Sequence, residues 1–199
     1  ISVAADERVR VDFRLRAACT LSGKVLDASG APVDKASIFV RDEAGRPLDR
    51  FSVTATESNG TFVQKGLGAG RYTVSARTDA LVSDEATVVL TEGEEAHVEL
   101  RLEDGTMLVV TLSNDDGTDI DASFTVTDEK GRQVNGIYSL SDLMKIMTEG
   151  GFDSKHQRIG PLPRGKYTVT ASSATGAKAT KAIVLTGQSE KKITLKLGN

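Results

Sequence analysis

Apolar and polar residues alternate with period two along most of this 199-residue chain, the pattern of strands with one buried and one solvated face. Tyr72, Val74 and Ala76 alternate with Arg71, Thr73, Ser75 and Arg77, and the figure returns as Tyr167, Val169 and Ala171. Each copy follows a glycine-bearing turn, Gly66-Leu67-Gly68-Ala69-Gly70 in the first and Gly160-Pro161-Leu162-Pro163-Arg164-Gly165 in the second. Ala36, Ile38 and Val40 are answered by Ala122, Phe124 and Val126 at an offset of 86, whereas Tyr167 follows Tyr72 by 95. Such a repeat predicts two β modules of one kind, residues 17–104 and 105–199. In the first, roughly seven short strands with turns about every 8–12 residues predict a β-sandwich.

The turns are chemically specified. Asp27-Ala28-Ser29-Gly30-Ala31-Pro32 combines side-chain capping with permissive and fixed φ, and Glu57-Ser58-Asn59-Gly60 is a hairpin signal. Strands are expected at Leu21–Leu26, Ala36–Val40, Phe51–Ala55, Thr61–Val63, Tyr72–Ala76, Val88–Leu90 and Val98–Leu102. Only Glu103-Asp104-Gly105 connects the modules, too short a link to let them move independently. Residues 1–16 carry the closing-strand pattern a third time, with Val9, Val11, Phe13 and Leu15 alternating with Arg8, Arg10, Asp12, Arg14 and Arg16. They are expected to be the C-terminal strands of a preceding, truncated module in a longer array. The growth of the offset from 86 to 95 locates an insertion between Val134 and Leu162. Within it Leu140, Leu143, Met144 and Met147 form a helical stripe after Ser139 and before Gly150, predicting one short helix near residues 139–150.

Composition narrows the function classes. Twenty-five basic and 28 acidic residues give a net charge of −3, and no basic stripe with interleaved aromatics points to nucleic acid. No apolar run approaches a membrane span. The single cysteine, Cys19, cannot form an internal disulfide.

A resemblance emerges from the motifs. Gly23-Lys24-Val25, Asp27 to Val33 with Gly30 and Pro32, Ala36-Ser37-Ile38-Phe39-Val40, Asn59-Gly60-Thr61-Phe62, Leu67 and Gly70-Arg71-Tyr72-Thr73-Val74 together resemble the carboxypeptidase regulatory-like domain. The second module is similar from Gly160 to Ala171 and looser before it. The resemblance implies an all-β chain of tandem transthyretin-like or Ig-like β-sandwiches, to which the helical stripe adds one short inserted helix in the second. It also implies an accessory module of a secreted, periplasmic or cell-surface protein. Nothing resembling a peptidase zinc motif accompanies it.

Catalytic, cofactor-binding and metal residues are accordingly expected to be none. His97 shares a solvated strand face with Glu99 and Arg101, and His156 is expected in a polar loop, Asp153–Arg158, without a second histidine nearby. Asn114–Asp121 has oxygen ligands suited to Ca²⁺, but not the EF-hand spacing, and reads as a capped turn. Tyr72 and Tyr167 are assigned to cores. Phe39, flanked by the inward Ile38 and Val40, points outward and is expected to pack beneath a loop or the neighbouring module, the alternative being an exposed platform. Strands Tyr72–Ala76 and Tyr167–Ala171 offer no acid for an isopeptide cross-link. The helical stripe is assigned to covering its own sandwich rather than to a partner. The expected function is a non-enzymatic structural or adhesive array that spaces or presents parts of a longer protein; the alternative is a carbohydrate- or peptide-binding accessory module of a secreted hydrolase. Expected partners are neighbouring modules of the same chain, then carbohydrate or another protein, with no nucleic acid.

Overall fold

The computed structural model describes residues 8, 10, 12, 16–48, 54–114, 122–134, 156–174 and 176–198. The chain is all-β over these residues, with strands β1 (Cys19–Leu26), β2 (Ser37–Asp42), β3 (Thr61–Leu67), β4 (Gly70–Arg77), β5 (Leu81–Ser83), β6 (Ala86–Leu90) and β7 (Glu95–Asp104). After a single residue, Gly105, follow β8 (Thr106–Asn114), β9 (Ala122–Asp128), β10 (His156–Leu162), β11 (Gly165–Ser173), β12 (Lys178–Leu185) and β13 (Glu190–Leu197).

Alternation became two packed cores. Leu21, Val25, Ile38, Phe62, Tyr72, Val74, Leu90, Leu100 and Leu102 belong to one, and Leu108, Val110, Phe124, Val126, Tyr167, Val169, Leu185, Leu195 and Leu197 to the other. Each inward side chain of this size removed from water stabilises by roughly 1.5–3 kcal/mol. Four strand pairings of the first half recur in the second, and those made by β5 have no counterpart there among the described residues. In the first, β1 lies between antiparallel β3 and parallel β7, and β4 lies between β2 and β6. In the second, β8 lies between antiparallel β10 and parallel β13, and β11 lies between β9 and β12. Gly23 of β1 faces Phe62 across the ladder, and a Cβ there would lie 2.5 Å from that ring. The corresponding pair is Val110 and Gln157, with valine where the first half has glycine.

Several expectations need correction or fall elsewhere. The strand expected at Phe51–Ala55 survives, in its described part, only as an isolated bridge between Ala55 and Ser37. A strand that the pattern did not predict, β5, pairs Leu81–Ser83 with Leu102–Asp104 of β7 and Val82 with Arg77 of β4, joining the two sheets of the first half. Three residues are too few to display a period. Of residues 1–16, Arg8, Arg10, Asp12 and Arg16 are exposed and outside any strand; Val9, Val11, Phe13 and Leu15 lie outside the described residues. So do residues 139–150, where the helix was expected, and residues 115–121 of the acidic stretch. Among the described residues no helix is long and apolar enough to cross a membrane.

Candidate functional site: the junction between the two halves

The two halves meet where β2 and β4 turn their outer face toward the second half. Register places Phe39 opposite Ser75 and Arg41 opposite Thr73, on the face away from Ile38, Val74 and Ala76. Phe39 is half-buried, and the Arg77 guanidinium sits 4.8 Å from its ring centroid, a cation–π contact. Arg77 itself is only 9% exposed. Phe39 is thus covered by Arg77 of its own half and lines the cleft that faces the second.

From the second half comes the turn Asp128-Glu129-Lys130-Gly131-Arg132. Asp128 Oδ1 accepts from the main-chain N–H of Lys130 and of Arg132, both at 2.9 Å, which closes the turn. Its Oδ2 takes Arg132 Nη2 at 2.6 Å, and the same Nη2 reaches Glu85 of the first half at 2.9 Å. Lys130 Nζ adds a longer contact to Glu85 at 3.5 Å. Burial alone would raise the Asp128 pKa, but the hydrogen bonds from Arg132 and its charge hold it below the usual carboxylate value. Burial would lower the Arg132 pKa, and the bonds to Glu85 and Asp128 more than reverse that.

The first half has the same turn, Asp42-Glu43-Ala44-Gly45-Arg46, in which Asp42 Oδ1 accepts from Arg46 N at 2.9 Å and Oδ2 pairs with Arg46 Nη2 at 2.7 Å. Arg46 is 79% exposed, whereas Arg132 is 22% exposed. One local motif serves as a capped turn in one place and as a bridge in the other. Arg41 completes the contact, donating from Nη1 to Gly45 O at 3.0 Å and from Nη2 to Gln133 O at 3.3 Å.

Beneath this polar layer the connection is tight. Gly105 N donates to Ala80 O at 3.0 Å. A Cβ on Gly105 would fall 2.5 Å from Pro161 Cβ and 2.9 Å from Val82 Cγ1, so no larger residue fits without moving one half. Here β5 finds its purpose: Val82 and Ser83 are buried, and Ser83 Oγ accepts from Ala76 N at 2.9 Å and donates to Asp84 O at 2.8 Å. The residues facing the second half have no chemical counterparts there. By register Phe39, Arg41 and Arg77 correspond to Thr125, Thr127 and Ser172.

The remaining residues singled out in the sequence do not converge here. His97 is exposed, with Nδ1 3.2 Å from Ser22 Oγ, while His156 to Arg158, expected in a loop, open strand β10 instead, with the main chain of His156 paired to Thr111. Among the described residues no group of three or more His, Cys, Asp or Glu is arranged to hold a metal ion. Sequence reading missed Arg41, Val82, Glu85, Gly105 and Arg132. Only the repeated Asp-Glu-x-Gly-Arg turn hinted at one of them.

Residues 20–103 match the family model of the carboxypeptidase regulatory-like domain. The matched span ends at Glu103, two residues before the pinned Gly105. No curated protein matches the chain. Among solved structures, the Bacillus anthracis TIE protein is similar at 20% identity and a TM-score of 0.37, over 92% of this chain. This chain spans 34% of that one. The minor pilin GBS52 of Streptococcus agalactiae is 16% identical over 90% of this chain and 95% of its own, with a TM-score of 0.38. The shaft pilin SpaA of Lactobacillus rhamnosus GG is 9% identical over 92% and 98%, with a TM-score of 0.35.

Proposed function

We propose that this protein is a non-catalytic structural element: two β-sandwich modules of one kind, residues 17–104 and 105–199, held at a fixed angle to space or present parts of a longer secreted or surface protein. The match of the first half to the regulatory-like domain supports a structural rather than a catalytic role, and the matching strand pairings of the halves support the tandem reading. The observation that carries the proposal is the junction. A one-residue link is hydrogen-bonded to Ala80 and wedged between Val82 and Pro161, with the Glu85–Arg132–Asp128 bridge beside it. A flexible tether needs none of this.

Residual dipolar couplings and small-angle scattering on the whole chain test it. The native protein should fit one inter-module orientation, and Gly105→Val should broaden or shift that orientation while each module keeps its own amide spectrum. A native chain that already samples a wide range of angles would sink the proposal.

A further inference from the structure

Between the halves lies a cleft of about 390 Å³, bounded by Phe39, Arg41 and Arg77 on one side and by Pro161, Arg164 and Lys166 on the other. We propose that this cleft is a binding site for a small oxyanion, a molecule carrying a carboxylate or phosphate group, anchored on Arg41.

Arg41 carries the argument. Its guanidinium donates to two main-chain carbonyls and makes no ion pair with a described carboxylate. A guanidinium has five N–H donors, so three remain for a ligand, and its planar fork suits a carboxylate or phosphate held by two bonds. Burial, and then the neighbouring Arg132, disfavour its charge, while Glu85 and Asp128 act the other way. Those two acids are already engaged by Arg132 and Lys130. A cation withdrawn from water without its own counter-ion is stabilised by an incoming anion.

The surroundings agree. Arg164 and Lys166 line the opposite wall, and among the described residues neither forms an ion pair. Asp84 and Glu129 also line the cleft and are exposed, where solvent screens them. The Phe39 ring and Pro161 supply apolar surface beside the charges. The volume lies within the roughly 300–1,000 Å³ of small-molecule sites, which favour the seams between packed units. An occupant would touch both halves at once, Arg41 from the first and Lys166 from the second, so binding should also tighten their orientation.

The test is thermal unfolding of the whole chain titrated with citrate, with inorganic phosphate, and with sodium chloride at matched ionic strength. Saturable stabilisation by citrate, by phosphate or by both, beyond that of chloride, is the expected result, and which of them acts identifies the oxyanion. Arg41→Gln should weaken the apparent affinity roughly tenfold or more, the loss expected for a charge-assisted bidentate contact. Should Arg41→Gln fail to fold, the double variant Arg164→Gln with Lys166→Gln decides, since both side chains are free of other described bonds; it should weaken binding roughly threefold to tenfold. A response no greater than that of chloride, or an affinity unchanged in whichever of these variants folds, overturns the proposal.

Discussion

The Tyr167 hydroxyl donates to Pro163 O at 2.9 Å while its ring is buried in the second core, and the Tyr72 hydroxyl donates to Gly68 O at 3.0 Å in the first. In each case the third residue of the strand also ties down the turn four residues before it. Truncation to Ala should cost roughly 3–5 kcal/mol, as for other large aromatic deletions from cores. Tyr→Phe, which keeps the ring and loses only the hydrogen bond, should cost about 1 kcal/mol. Urea unfolding of the four variants separates the two contributions. Tyr167 also makes a pH prediction. Burial first, then Asp128, Glu85 and Glu129, push its pKa up to about 12 from an ordinary 10.0. The unfolded chain therefore ionises first. The stability that comes from keeping this phenol neutral is complete below pH 10 and is lost as pH rises toward 12. Tyr167→Phe should flatten the decline of stability over that interval; an unchanged slope would show that other groups cause it.

Among the elements, the two Asp-Glu-x-Gly-Arg turns form a natural pair of controls. Their local hydrogen bonds coincide, but only the second is partly buried and bridged to another half. Arg46→Ala removes an exposed ion pair and should cost no more than about 0.5–1 kcal/mol. Arg132→Ala leaves Asp128 and Glu85 without their shared partner and should cost about 1–3 kcal/mol. Acid titration gives an independent check. The Asp128 pKa is held low, so its stabilisation is present above the unfolded carboxylate pKa and fades as pH falls through the folded value. Arg132→Ala should lessen that acid loss, measured by hydrogen exchange on β9 and β11. Equal effects of Arg46→Ala and Arg132→Ala would mean that the bridge contributes nothing. The short strand β5 belongs to the same scale. Its register with β4 and β7 positions Val82 and Ser83, and through Val82 it meets Gly105 and Pro161.

For the whole molecule, the consequence is coupling. Two cores separated by one pinned residue share an interface of apolar contact below and ion pairs above, so each half should raise the other's resistance to unfolding. Gly105→Val is expected to uncouple them. Hydrogen exchange should then show the two halves opening with separate free energies, where the native chain shows overlapping ones. Raising the salt concentration should weaken the polar layer and leave the wedge of Val82, Gly105 and Pro161 intact. High salt is therefore expected to loosen the junction less than Gly105→Val does, a ranking that scattering at two ionic strengths measures.

What the sequence determined by itself was local or periodic. Alternation identified most strands and the inward faces of Ile38, Val74, Phe124 and Val169, because a pleated strand sends successive side chains to opposite faces. Turn chemistry was equally legible: Asp27 Oδ1 accepts from Ser29 N and Ala31 N at 2.8 and 2.9 Å, and Asn59 Oδ1 accepts from Thr61 N at 2.9 Å. Each such bond closes within a few residues and needs no knowledge of the rest of the fold. The repeat of Tyr72 in Tyr167 likewise announced two equivalent buried rings. The tertiary structure decided the rest. That β1 runs parallel to β7, 75 residues away at Ser22 and His97, leaves no trace in either strand's own pattern. The need for glycine at positions 23 and 105 arises from Phe62 and Pro161, distant residues that claim the space a Cβ would occupy. Arg46 and Arg132 occupy the same place in the same motif, yet only Arg132 spans the junction, because Glu85 stands across from it. A residue's partner across a seam depends on how two finished surfaces meet, and that is settled only when both have folded.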